Sequence, residues 1–195
     1  MKKFELTSEF ITNIFGTKLF RIKALIEFGN VKAGELGGFV EKEENLNHEG
    51  NAWVYGNAEV YGNARVYGNA SVYGDARVCG DARVYGNAWV YGNARVCDDA
   101  RAYGNASVYG NARVCGDARV YGNADYATVH GFGSEYRTTT FFKTKAGEIG
   151  VRCGCFYGNL SEFRKKVVET HGETKKAKEY LMLADLMEFR FSDNS

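Results

Sequence analysis

The sequence predicts a mainly-β protein: a parallel β-helix, with a non-repetitive cap before it and a small α+β module after it. Three observations predict it. A six-residue repeat runs without insertion from Ala52 to Asp125. A period of 18 residues lies above it, since Cys79, Cys97 and Cys115 recur at that interval. A third period is 36, because residues 53–88 and 89–124 align without a gap and are identical at 30 of 36 positions. Three hexads per turn describe a triangular coil, so 36 residues make two turns and the repeat makes about four regular coils.

Each hexad is a variant of Ala-x-Val-Tyr-Gly-Asn. The aliphatic position is Val in eleven hexads and Ala102 in the twelfth, and the residue two places before it is always Ala. Alternate residues of a strand share a face, so Ala and Val point inward together and suit a narrow triangular interior. Gly followed by Asn or Asp makes each corner, where a positive φ is needed. Stacked coils lie about 4.8 Å apart. A strict period of six argues against a pentapeptide prism. The pattern resembles the hexapeptide-repeat left-handed parallel β-helix family over somewhat more than a third of the chain. That resemblance implies a left-handed coil and homo-oligomers, often trimers with parallel axes.

The open ends of such a coil must be capped against edge pairing. Residues 1–51 read as an N-terminal cap and lead-in, with a strand at Phe20–Ile26 and an imperfect first coil through Val40 and Leu46. Residues 52–125 are the β-helix. Residues 126–195 read as a ββαα module: strands at Tyr136–Thr144 and Glu148–Cys153, then two helices. Asn159 with Glu162 makes a capping box for the first helix. His171-Gly172 ends it, and the second runs from about Thr174 to Phe189. The segment Gly154 to Phe163, with His171-Gly172 and Glu179-Tyr180, resembles a tail module of phage and prophage proteins. This resemblance implies a viral origin, action in the host cytoplasm and no particular activity.

Charge is balanced, with 25 basic and 24 acidic residues, which removes the simplest argument for nucleic-acid or membrane binding. Twenty-four glycines with no proline point to regular turns, not to a linker. Five cysteines and an N-terminus without an apolar run fit a reducing cytoplasm. No stretch is apolar and long enough to span a bilayer.

Acyltransferases of the resembled family use a histidine as general base. The hexads contain none; His48, His130 and His171 lie outside them. A zinc site needs convergent ligands, and Cys153 with Cys155 is only half of one. The Cys79, Cys97 and Cys115 ladder reads as a substitute for Tyr where a face is packed, with soft-metal binding the lesser reading. Thus no catalytic residue, metal or cofactor is expected.

The register assigns the outward residues to three faces. The first carries Trp53, Ser71, Trp89 and Ser107, flanked by Tyr55, Tyr73, Tyr91 and Tyr109. It is nearly uncharged, and Trp and Tyr are enriched at interface cores, so it is the expected surface for a protein partner or self-association. The second carries Glu59, Arg77, Arg95 and Arg113, flanked by Tyr61 and the three cysteines. The third carries Arg65, Arg83, Arg101 and Arg119, flanked by Tyr67, Tyr85, Tyr103 and Tyr121. Guanidinium forks interleaved with stacking rings suit a nucleotide or nucleic acid. Against this, the hexads carry seven Arg and seven acidic residues, and Asp81, Asp99 and Asp117 are placed to pair with third-face arginines. The sequence therefore favours a non-enzymatic interaction protein, with a host-defence factor as the candidate target. An acyltransferase using His48 or His130 and a third-face anion binder are the alternatives.

Overall fold

The computed structural model describes residues 1–133 and 135–192. Twelve two-residue strands, β4 to β15, recur every six residues from Trp53–Val54 to Arg119–Val120. They stack in the expected register. Trp53, Ser71, Trp89 and Ser107 lie side by side in one parallel sheet. Glu59, Arg77, Arg95 and Arg113 share the second, and the four third-face arginines share the third. Each coil donates to the next: Arg83 N–H reaches the Ala100 carbonyl at 2.9 Å and Tyr85 N–H reaches that of Ala102 at 3.0 Å.

Every inward Ala and Val of the hexads is fully buried. At the corners Gly68, with φ +71°, lies so close to Gly86 that a Cβ would stand 3.1 Å from its nitrogen. Both the left-handed conformation and the close stacking therefore favour glycine there.

The lead-in coil forms. β3 (Leu36–Val40) runs parallel to Glu59–Val60 with Val40 beside Val60, and Leu46 bridges Val66. Between them a short turn buries Asn45, whose Nδ2 donates to the carbonyls of Gly62 and Ala64 at 3.1 and 2.9 Å. The result is a β-solenoid of about five turns. β2 (Lys18–Ala24) pairs antiparallel with β3, and β1 (Phe4–Thr12) with β2. The second-face sheet thus grows to seven strands. No apolar pattern in the sequence marks β1, an edge strand whose residues after Phe4 are partly or fully exposed.

The C-terminal module has four antiparallel strands where two were expected. β16 (Tyr126–Phe132), β17 (Arg137–Lys143), β18 (Ile149–Cys153) and β19 (Phe156–Asn159) pair in sequence order. β19 is four residues long and contains Gly158, and β16 follows the last turn of the solenoid directly, so neither has clear boundaries in the sequence. The helices α1 (Leu160–His171) and α2 (Lys175–Phe191) follow. The Asn159–Glu162 capping box forms as expected, with reciprocal bonds of 2.9 and 2.8 Å.

β17 joins two cores by the alternation of a strand. Phe142 packs into the solenoid core and Phe141 into the module core with Phe163 and Val167. Tyr126 Oη donates to the Ser107 carbonyl at 2.7 Å, and Arg113 N–H to Thr140 Oγ1 at 3.0 Å. The module therefore seals one end of the solenoid. No described helix is long and apolar enough to cross a membrane.

Candidate functional site

The first face is shorter than the sequence implies. Trp53 is fully buried. Phe28 and Phe4 meet its ring edge-on at 5.3 and 6.2 Å, and Gly37 passes so close that a Cβ would lie 2.8 Å from the indole. The N-terminal cap folds over the first rung and removes Trp53 from the surface; Tyr55 is half-buried beside it. The remaining strip is Tyr73, Trp89, Tyr91 and Tyr109. Trp89 is 51% exposed and Tyr109 50%. Tyr73 stacks on Tyr91 at 4.9 Å with planes 2° apart, and Tyr91 on Tyr109 at 5.3 Å. Trp89 stands edge-on to Tyr73 at 6.4 Å.

On the third face, Tyr67, Tyr85 and Tyr103 stack at 4.8 and 5.1 Å, while Tyr121 turns edge-on. The expected pairing of Asp81, Asp99 and Asp117 with third-face arginines does not occur among the described residues. Asp81 accepts instead from Asn63 Nδ2 at 3.1 Å along the corner ladder. Arg119 Nη1 donates to the carbonyls of Asp99, Asp117 and Ala118 at 2.9, 3.0 and 2.8 Å. The guanidinium of Arg119 thus reaches the corner but is taken up by main-chain carbonyls there, while the Asp81 carboxylate is taken up by an amide one rung away. Arg65 and Arg83 are exposed and, among the described residues, have no carboxylate partner. With Tyr67, Glu43, Glu44 and His48 they line an open groove of about 760 Å³ where the lead-in coil meets the third face.

The second face is knitted together. Glu59 pairs with Arg77 at 3.4 Å. Partial burial, with Arg95 and Arg152 nearby, pushes the Arg113 guanidinium below its usual range. Burial pushes the Cys79 thiol up, opposed by a bond to Tyr61. Cys97 and Cys115, expected as free thiols, are joined in a disulfide across adjacent rungs with Cα atoms 4.7 Å apart. The 18-residue spacing places them in register; the bond itself has no signal in the sequence.

The histidines fall at the ends, as expected. His48 has both nitrogens engaged: Nδ1 accepts from Lys3 N–H at 3.1 Å and Nε2 meets Glu43 at 2.7 Å, while the ring stacks on Phe4 at 4.4 Å. His130 contacts Thr138 at 3.2 Å on an exposed strand. His171 stacks on Tyr180. With Arg137, Cys153 and Lys166 these two residues line a cleft of about 270 Å³ that the sequence does not reveal. There Cys153 accepts from Thr139 Oγ1 at 3.1 Å, and Cys155 is exposed.

The family model described as the YdcK beta solenoid repeat matches residues 58–74, 76–92 and 112–124. No curated protein matches the chain. The match lies wholly within the hexads, so what the chain is similar to is a repeat β-solenoid, the fold its three stacked sheets display.

Proposed function

We propose that the chain is a non-enzymatic binding protein whose solenoid presents the Trp89 strip to another protein. One observation carries this reading: a half-exposed Trp stands among stacked tyrosines on a nearly uncharged side. Large aromatic rings at low conformational-entropy cost are the groups that dominate interface energetics. The partner is a second copy of the chain or a host protein. The finer form of the proposal is a left-handed, hexapeptide-type prism, encoded by a phage and directed at a host-defence factor. It rests on the hexad register and on the tail segment Gly154–Phe163.

Trp89→Ser is the decisive variant, because Ser already occupies this position at Ser71 and Ser107. Light scattering of both proteins at micromolar concentration, with cross-linking in host lysate, is expected to show a complex that the substitution abolishes. A monomer that captures the same proteins with and without Trp89 would overturn the reading.

Arg65 and Arg83 beside the third-face groove support a second reading, binding of a nucleotide or nucleic acid. Salt-sensitive oligonucleotide binding, lost in Arg83→Ala with Arg101→Ala, is its expected signature. The acyltransferase reading gains little from His48, since the contacts that occupy both ring nitrogens hold the cap.

A further inference from the structure

The corner above Arg95 departs from the repeat in one respect. The corner residue after the aromatic or Cys position is Gly in eleven hexads and Asp98 in the twelfth. Asp98 nevertheless takes the left-handed conformation of its neighbours, with φ +58°. That conformation is uncommon for a residue other than glycine. The substitution falls next to Cys97, and the Asp98 carboxylate accepts the Gly116 N–H at 3.0 Å, beside Cys115. The Sγ atoms of Cys97 and Cys115 and a carboxylate oxygen of Asp98 all lie within 4.8 Å of one another.

We propose that, with the disulfide reduced, Cys97, Asp98 and Cys115 chelate one thiophilic divalent cation of the zinc type.

The donor set is right for such an ion. Two thiolates and one carboxylate are zinc ligands, and sulfurs bound to one zinc stand about 3.8 Å apart, given Zn–S bonds of about 2.3 Å. Adjacent rungs with Cα atoms 4.7 Å apart can present sulfurs at that separation. Charge is also suited. Three anionic ligands around a dication leave one net negative charge, and Arg95 and Arg113 stand two residues before the cysteines on the same outward side. Nearby guanidinium groups also favour thiolates. The site is sheltered on one side and open on the other. Cys115 is buried, and Tyr157 of the module lies over Gly116 with its Oη 3.4 Å from Asp117. Asp98 is exposed, which leaves room for a water or an external ligand as the fourth donor. Cys79, one rung away, is not among the three residues whose donor atoms converge.

The chemistry balances simply. A dithiol reductant supplies two electrons and two protons to break the S–S bond and becomes a cyclic disulfide itself. The cation then displaces the two thiol protons.

The test uses the full chain carrying Cys153→Ser and Cys155→Ser, reduced and freed of the dithiol, and titrated with cobalt(II). A thiolate-to-cobalt charge-transfer band is expected at one equivalent, displaced by zinc. Cys97→Ser and Cys115→Ser should each abolish it. Asp98→Gly, which restores the repeat residue and so preserves the fold, should weaken zinc binding roughly tenfold or more. Cys79→Ser should leave band and affinity unchanged. The proposal is overturned if the reduced, folded chain gives no band, if the band survives Cys97→Ser, or if Asp98→Gly binds as tightly as the parent.

Discussion

Trp53 and Trp89 occupy the same position of the 36-residue repeat and have opposite fates, because only the first lies under the cap. A buried Trp replaced by Ala loses its transfer energy and leaves a cavity, about 3–5 kcal/mol. Trp53→Ala is therefore expected to lower the urea midpoint steeply, while Trp89→Ala should change stability by under about 1 kcal/mol. Parallel denaturation curves check the pair, and equal losses would contradict the cap's placement. Lys3 offers a pH-dependent counterpart. Its side chain is buried, with Nζ 2.9 Å from the Ala52 carbonyl and 3.3 Å from that of Gly50. Burial lowers its pKa from 10.5 to about 8. Below about 8 both folded and unfolded chains hold the proton, and the cost of burying the charge is fully present. Between about 8 and 10.5 the unfolded chain holds more protons at this site, so the contribution of Lys3 to stability rises with pH across that window. Lys3→Met should remove that rise. Urea midpoints at pH 7 and pH 10 for both proteins measure it, and an unchanged difference would refute it.

Strand β17 is the element that ties the solenoid to its module, through Phe142 on one side and Phe141 on the other. Phe142→Ala should cost about 3–5 kcal/mol and unseal the end rung. Amide exchange is expected to quicken at Arg113–Val120 and to stay slow in the rungs next to the N-terminal cap. A uniform increase along the solenoid would count against a local seal. Elements of this protein differ in how far the sequence announces them. The hexad strands are legible because every inward position is Ala or Val and nearly every corner is Gly, so period and register follow from sterics alone. The helices are legible from the Asn159 box and their apolar spacing. β1, β16 and β19 are not, since their pattern is short or half-exposed and pairing, not propensity, makes them strands. The same limit applies to the candidate faces. The ladders Tyr67–Tyr85–Tyr103 and Tyr73–Tyr91–Tyr109 follow from the 18-residue period. The burial of Trp53 and the lack, among the described residues, of a carboxylate partner for Arg65 and Arg83 depend on how the cap folds and where each corner carboxylate points.

At the scale of the whole molecule the solenoid behaves as a stack of equivalent turns, each in contact mainly with its neighbours. Its length should then be adjustable in units of 18 residues. Deleting residues 89–106 joins Ala88 to Ser107, keeps every ladder aligned and leaves the contacts of Trp53 and Phe142 in place. Such a chain is expected to fold and unfold in one transition. Its denaturant slope should fall by about a tenth, in proportion to the surface removed. Deleting residues 92–106 instead, three fewer, retains Trp89, Val90 and Tyr91 but removes the corner that follows them. One side of the triangle is then three residues long, too short to span a strand and a corner. The coil cannot close, and the inward Ala and Val beyond the junction lose their stacking partners. That chain is expected to be insoluble or to lack the parent's cooperative transition. The larger deletion thus gives the more stable protein, an order that total buried apolar surface alone would reverse. Circular dichroism and urea titration of the two chains decide it. A 15-residue deletion as stable as the 18-residue one would mean that closure of each turn is not what holds the solenoid together.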